Sequence, residues 1–177
     1  MFAEEGLEGI QVERLARILK LNKSGFYHYF GDLEGYCTEL ISLHEKKVDE
    51  LVKCIRELRD FDPGYLHLLV ANPTTVMFQV QLTRSKRGLS FYEESERADQ
   101  RISIALAAIW SDYLGLHNNE PLALRYYSFV RDMFYTRISF ANLNFKFLYN
   151  LMSESRQLLM EIPRFSPVPV ARRTASI

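Results

Sequence analysis

Residues 11–30, Gln-Val-Glu-Arg-Leu-Ala-Arg-Ile-Leu-Lys-Leu-Asn-Lys-Ser-Gly-Phe-Tyr-His-Tyr-Phe, predict two short helices joined by a tight turn. The first of these helices has apolar residues at the spacing of a single helical face, namely Val12, Leu15, Ala16 and Leu19. The second helix follows Asn22, a residue type that caps helix N-termini. The segment therefore indicates a compact helical pair at the start of the chain.

The second helix carries different groups on its two faces. We expect one face to pack inward through Phe26, Tyr29 and Phe30, and the other to present Lys23, Ser24, Tyr27 and His28. The major groove of DNA admits one helix, and its base edges and phosphates bind short polar, aromatic-hydroxyl and cationic groups. The pattern favours a helix-turn-helix that binds DNA. Capped amphipathic helices also occur in bundles that bind no nucleic acid, and that alternative stays open on pattern alone.

Three motifs follow one another within residues 2–36: Phe2-Ala3-Glu4-Glu5-Gly6, Val12-x-x-Leu15-Ala16, and Leu21-Asn22-Lys23-Ser24-Gly25-Phe26-Tyr27-His28-Tyr29-Phe30. In this order and spacing they resemble the N-terminal signature of the tetracycline-repressor-like (TetR) transcriptional regulators. In that family the first motif closes helix 1, the hydrophobic–Ala pair marks helix 2, and the recognition helix ends in Tyr-x-x-Phe. The rest of the chain agrees with the family only in length and helical character.

The resemblance implies a domain order and a function. We expect a helix-turn-helix DNA-binding domain at residues 1–36, a helical effector-binding and dimerisation domain at 37–162, and a mobile tail at 163–177. The expected function is that of a ligand-responsive repressor that binds a palindromic, double-stranded DNA operator as a homodimer. The residues expected to face DNA are Gln11, Lys23, Ser24, Gly25, Tyr27 and His28.

The chain departs from the family pattern at three places. It starts at Met1-Phe2, where family members have already completed most of helix 1. Lys20 occupies the turn position that is commonly Gly in the family, and it needs a backbone angle there that lysine tolerates. Leu33 stands where many members have a phosphate-binding Lys. All three weaken the expected support around the recognition helix.

Composition and charge limit the function classes. The chain has 177 residues, 47% of them hydrophobic, and 22 basic residues balance 22 acidic ones. Residues 11–30, however, contain four basic side chains and only one carboxylate, and this local excess of positive charge is compatible with a DNA-binding surface. No apolar run approaches the ~20 residues of a membrane helix, so we expect a cytoplasmic protein with no membrane partner.

The two cysteines of the chain, Cys37 and Cys54, are 17 positions apart on one predicted helix. They therefore lie too far apart to form a disulfide with each other.

After residue 31 the spacing of apolar residues predicts one helix after another, without sustained strand alternation, so the fold class is all-α. We expect helices at about 33–60, 63–71, 73–84, 89–114, 120–140 and 145–161. The resemblance places an effector pocket among the helices between residues 62 and 114, for a largely apolar small molecule. The candidate lining residues, each of which is also a good core residue, are His67, Met77, Phe78, Gln81, Phe91, Tyr92 and Trp110.

The last two long helices have apolar stripes wider than one packed face requires. The resemblance implies that they form a two-fold four-helix bundle between protomers, with DNA-binding heads about 34 Å apart. The expected interface residues are Tyr126, Phe129, Met133, Leu148, Leu151, Met152 and Leu159.

Motifs of catalysis and of metal binding are few. The sequence has no glycine-rich phosphate loop, and His44-Glu45 begins a zinc-protease motif that lacks its second histidine. We expect no enzyme activity, no cofactor and no metal site. The alternative to the regulator is a dimeric helical interaction protein that keeps the fold but has lost DNA binding.

Overall fold

The computed structural model describes residues 1–85, 91–117 and 119–161, with backbone alone at 91 and 92. Within these residues all regular structure is helical, which confirms the all-α prediction. The elements are α1 (Phe2–Glu5), a 3₁₀ turn (Gly6–Gly9), α2 (Val12–Ile18), α3 (Lys23–Phe30), α4 (Leu33–Glu57), a π-helical turn (Phe61–Tyr65), α5 (Leu66–Ala71), α6 (Pro73–Arg84), α7 (Phe91–Leu114), α8 (Glu120–Arg137) and α9 (Phe145–Glu161).

Local hydrogen bonds set several of the helix starts that the sequence predicts. Asn22 Oδ1 accepts from the backbone N–H of Gly25 at 2.6 Å, and Asp32 Oδ1 accepts from that of Gly35 at 2.8 Å. These contacts satisfy N–H groups that a helix N-terminus leaves unpaired. The predicted starts of α3 and α4 are therefore confirmed.

Three predicted helix boundaries are corrected. α4 ends at Glu57 rather than at 60, and Asp60 Oδ1 then accepts from the backbone N–H of Gly64 at 2.7 Å. The helix expected at 63–71 is accordingly a π-helical turn followed by α5. α8 ends at Arg137 rather than at 140, where the chain turns extended at Ile138. The expected helix start at 89 and the expected tail at 163–177 lie outside the described residues.

The main core lies among α4 to α9. α4 packs along α7, α7 packs against α8, and α6 contacts α4, α7 and α8. The largest fully buried side chains come from most of these elements: Val48, Ile55, Phe61, Leu66, Val80, Leu82, Leu106, Trp110, Val130 and Leu148. No helix in the described ranges has both the length and the apolarity needed to cross a membrane.

The N-terminal segment is anchored to this core through α6. The rings of Phe2 and Phe78 have centroids 4.4 Å apart, and Gln81 Nε2 donates to the carbonyl of Glu4 at 3.3 Å. Gly6 has a φ of +64°, and a Cβ there would lie 3.1 Å from Gln81 Oε1. Glycine therefore suits both the backbone angle and the close approach at this turn.

Candidate nucleic-acid interface and internal cavity

The turn between α2 and α3 forms a Schellman motif around Lys20. The backbone N–H of Leu21 donates to Ala16 O at 2.8 Å, and that of Lys20 donates to Arg17 O at 3.3 Å. Lys20 has a φ of +56°, the left-handed conformation that glycine adopts most easily. Lysine at this turn therefore adopts the backbone angle for which the family commonly has glycine.

α3 buries one side and exposes the other. Phe26 is fully buried, and its ring packs on Phe30 and on Tyr36 of α4 with centroids 5.0 and 5.8 Å apart. The side chains of Lys23, Ser24, Tyr27 and His28 are exposed, as is that of Gln11 before α2, while Gly25 is half-buried. The predicted polar face of α3 therefore lies on the surface of the protein.

Two expected inward-facing residues are corrected. Tyr29 is 71% exposed, and its ring lies against that of the exposed His28, with centroids 5.6 Å apart. Leu19 is 44% exposed, because α2 ends at Ile18 and the turn directs Leu19 outward. Ile18 is exposed as well, so apolar side chains lie on the surface where α2 ends.

Ion pairs within the chain reduce the local positive charge. Lys23 Nζ lies 2.5 Å from Glu13 Oε1, and Arg14 binds Glu5 through both guanidinium nitrogens, with Nη2–Oε1 at 2.6 Å. The hydrogen bond from Lys23 lowers the pKa of Glu13 below its ordinary value. Two of the four cations in residues 11–30 thus already contact carboxylates, which residue counting did not reveal.

The junction of α3 and α4 is tightly packed. A Cβ at Gly35 would collide with the carbonyl oxygen of Phe30, so glycine fixes how closely α4 follows α3. Asp32 caps α4 and Glu34 lies in its first turn, where Leu33 is half-buried. The carboxylates make this helix start unfavourable for a phosphate.

A cavity lies between α4 and α8, inside the core that α4 to α9 form. Its wall is mostly apolar and aromatic, with Arg131, Gln79 and three tyrosines as its principal polar groups. The lining residues are Val48, Leu51, Phe61, Tyr65, Leu69, Thr75, Val76, Gln79, Ile102, Trp110, Tyr127, Val130, Arg131, Phe134, Tyr135 and Met152.

Of the predicted pocket residues, Trp110 lines this cavity. His67 is exposed and stacks on Phe145, at a centroid distance of 4.5 Å. Met77 and Phe78 are buried on another side of α6, and Gln81 contacts the N-terminal segment. These four residues lie away from this cavity, since spacing along a helix does not show which neighbour each face meets. The side chains of Phe91 and Tyr92 lie outside the described residues.

A buried polar network adjoins the cavity, and the sequence reading missed it. Gln79 Nε2 donates to Asp99 Oδ1 at 2.9 Å, and Tyr135 Oη donates to the same oxygen at 2.6 Å. Gln79 Oε1 lies 2.9 Å from His44 Nε2, while Arg131 Nη1 lies 3.4 Å from Asp99 Oδ2. The sequence does contain one indication of this network, because Asp99 places a carboxylate within the apolar stripe of α7.

Burial shifts two titrations in this network. Desolvation raises the pKa of Asp99, although the hydrogen bond from Tyr135 and the charge of Arg131 oppose that rise. Desolvation lowers the pKa of His44, whose ring also stacks on Phe78 at 4.4 Å between centroids. Burial therefore favours a neutral imidazole at His44, although the hydrogen bond with Gln79 opposes this shift.

The predicted interface residues divide into two groups. Leu148, Leu151 and Met152 are buried within the chain's own core, so a second copy has no access to them and the prediction is corrected there. Phe129 is 65% exposed, and Tyr126, Met133 and Leu159 are half-buried. Tyr149, Leu158 and Met160 of α9 are exposed although the sequence reading did not select them.

Comparisons with known proteins add nothing to this geometry. No family model, curated protein or solved structure matches this chain. Within the described ranges, no three histidine, cysteine, aspartate or glutamate side chains group closely enough to hold a metal ion.

Proposed function

We propose that this protein is a TetR-like, ligand-responsive repressor that binds a palindromic DNA operator as a homodimer. The exposed polar face of α3 carries the proposal. Lys23, Ser24, Tyr27 and His28 project from a short helix whose opposite side is fixed by the buried ring of Phe26. A rigid helix with such a face has the size and chemistry of a major-groove reader.

The polar groups of α3 have distinct proposed roles. Lys23 contacts a phosphate or a guanine edge once it leaves Glu13, and the hydroxyls of Ser24 and Tyr27 donate to phosphates. His28 packs against a sugar or a thymine methyl group. Because Glu13 competes for Lys23, single-head binding is weak, and a dimer that presents two heads restores affinity.

Exposed apolar side chains on α8 and α9 support the dimer. Phe129 of α8 and Tyr149, Leu158 and Met160 of α9 are all exposed in the single chain. Exposed apolar side chains of this kind are able to take part in protein–protein contacts. We place the two-fold interface on these side chains together with the half-buried Tyr126, Met133 and Leu159.

The cavity supports the regulatory part. Val48 and Leu51 of α4 line it, and α4 begins directly after α3 at the tight Gly35 junction. A molecule that displaces α4 would also move α3, and so change the spacing between the two heads of a dimer. We therefore propose the cavity as the effector site.

Fluorescence anisotropy with a labelled duplex from the region upstream of the protein's own gene tests DNA binding. We expect affinity to fall steeply with salt and to weaken in Lys23→Ala and Tyr27→Ala. Lys46→Ala, which removes an exposed lysine from the middle of α4, is the control and should bind normally. An intact dimer that binds this duplex equally weakly in all four forms would refute the proposal.

A dimeric interaction protein without DNA binding is the second candidate. The exposed Ile18 and Leu19 at the end of α2, and the pairing of Lys23 with Glu13, favour it. Ile18→Ser with Leu19→Ser separates the two candidates. It should leave DNA binding unchanged in a regulator, and should abolish association with a partner protein in the alternative.

A further inference from the structure

The cavity has room for one six-membered ring. Its volume for the centres of water-sized spheres is about 40 Å³. A single water needs roughly 10–15 Å³ by that measure, so the space corresponds to about three waters, or roughly 90 Å³ of liquid. Five aromatic side chains from the π-helical turn, α7 and α8 line it: Phe61, Tyr65, Trp110, Tyr127 and Phe134. Aromatic rings pack favourably against such side chains in tilted or offset geometries, so a planar ring suits this wall.

The polar side chains of α6 and α8 on the wall are already bound within the protein. Gln79 Nε2 donates to Ser95 O and to Asp99 Oδ1, both at 2.9 Å. Gln79 Oε1 lies 2.9 Å from His44 Nε2, so both ends of this amide have partners. Tyr135 Oη donates to Asp99 Oδ1 at 2.6 Å. Neither Gln79 nor Tyr135 is therefore free to bind a molecule in the cavity.

The positive charge of Arg131 is also paired. Its Nη1 lies 3.4 Å from Asp99 Oδ2, and its Nε and Nη2 donate to Asp132 Oδ1 at 3.2 and 2.9 Å. An anion in the cavity would have to compete with both carboxylates for this guanidinium. A cation in the cavity would be repelled by the guanidinium. The wall therefore disfavours a charged ligand of either sign.

The remaining polar groups of the wall offer little to a ligand. The indole N–H of Trp110 donates to Ala123 O at 2.8 Å. Tyr65 and Tyr127 hydrogen-bond to each other, and burial raises the pKa of both hydroxyls, so they stay neutral. Thr75 is half-buried and therefore needs no partner from a bound molecule. A ligand with a hydrogen-bonding group would give up its bonds to water and gain few in the cavity.

From this wall we propose that the cavity binds an uncharged, single-ring aromatic hydrocarbon of the size of benzene or toluene. The ring lies among Phe61, Trp110 and Phe134 and makes no hydrogen bond to the protein. Apolar cavities that stay dry in water bind such rings. The inference rests on the proposed function, because it names the effector class of the cavity that we place under regulation.

Isothermal titration calorimetry of the full chain with toluene, phenol and naphthalene tests the ligand class. Toluene and phenol have nearly the same shape, but phenol carries a hydroxyl group. We expect toluene to bind at least tenfold more tightly than phenol, because phenol loses hydrogen bonds to water that the wall does not replace. Naphthalene has a second ring and should bind at least tenfold more weakly than toluene, because the core must open to admit it.

A matched pair of variants locates the binding. Ile102→Phe fills the cavity from α7 and should abolish the binding of toluene. Ile104→Phe makes the same substitution at an exposed position of α7 and should leave the affinity for toluene unchanged. Val130→Ile adds a single carbon atom to the wall and should weaken toluene at least threefold, which keeps the proposal testable if Ile102→Phe does not fold.

The inference is overturned if phenol binds as tightly as toluene, if naphthalene binds best, or if none of the three binds. Toluene binding that is unchanged in Ile102→Phe or in Val130→Ile also overturns it, because the ring would then lie elsewhere. Anisotropy with the operator duplex distinguishes the two proposals. Toluene binding without DNA binding refutes the regulator alone, whereas DNA binding without toluene binding refutes the hydrocarbon site alone.

Discussion

Replacing Lys20 by glycine should stabilise the protein. Lys20 occupies the left-handed position of the Schellman motif that ends α2, with a φ of +56°. A residue with a Cβ pays roughly 1–2 kcal/mol for this conformation, and glycine does not. Glycine also gives the unfolded chain more freedom, which offsets about 0.4–1 kcal/mol of that gain. Since the side chain of Lys20 is exposed, little packing is lost.

We expect a net gain of about 0.5–1 kcal/mol in the free energy of unfolding. For a chain of this length such a gain raises Tm by roughly 1–4 °C. Equilibrium unfolding in urea, monitored by far-ultraviolet circular dichroism, measures the change in midpoint. The slope of the transition should stay constant, because the surface exposed on unfolding does not change.

Lys20→Ala is the matched control for this prediction. It removes the same charge and the same side-chain length but keeps the Cβ, so its stability should stay within about 0.5 kcal/mol of the original protein. Arg17→Gly, inside α2, should instead destabilise by about 1 kcal/mol. If Lys20→Gly is no more stable than Lys20→Ala, the left-handed strain assigned to Lys20 is refuted.

Three further predictions concern the cap, the buried histidine and the Lys23 ion pair. Asn22→Ala should cost about 1 kcal/mol in urea unfolding and Asn22→Gly only a few tenths, because glycine tolerates the cap position. Burial lowers the pKa of His44 below its ordinary value of 6.5. The stability that depends on a neutral imidazole at His44 is therefore complete above pH 6.5, and it is lost as the pH falls through the lower pKa that His44 has in the folded protein. His44→Gln should therefore lose less stability than the original protein between about pH 7.5 and pH 5.5. Glu13→Gln frees Lys23 and should strengthen operator binding about two- to fivefold at low salt; equal anisotropy curves would contradict this.

The elements with local signals were predictable from the sequence. Asn22 and Asp32 cap α3 and α4 with their own side chains, so neighbouring residues are enough to set those helix starts. Pro73 opens α6 for a similarly local reason, since its fixed φ suits a first helical turn. The polar face of α3 could also be predicted from the sequence, because it depends only on helical periodicity.

Features that depend on distant residues were not predictable. Leu148 and Phe129 both belong to apolar stripes, yet one is buried and the other is 65% exposed, because their neighbours come from other helices. The network of Gln79, Asp99 and Tyr135 joins residues 20 and 36 positions apart in the chain. A single sequence gives no measure of such long-range proximity, so the polar side of the cavity, formed by Gln79, Arg131 and Tyr135, could be identified only from the fold.

The position of Trp110 has an experimental consequence. It is the chain's single tryptophan, it is fully buried on the cavity wall, and its indole N–H donates to Ala123 O at 2.8 Å. When tryptophan is excited selectively, the fluorescence of the unlabelled protein thus arises from the proposed effector site. Emission should be blue-shifted in the native state and shift red on unfolding. A molecule bound in the cavity should alter the emission intensity directly, so a fluorimeter can follow cavity occupancy in real time.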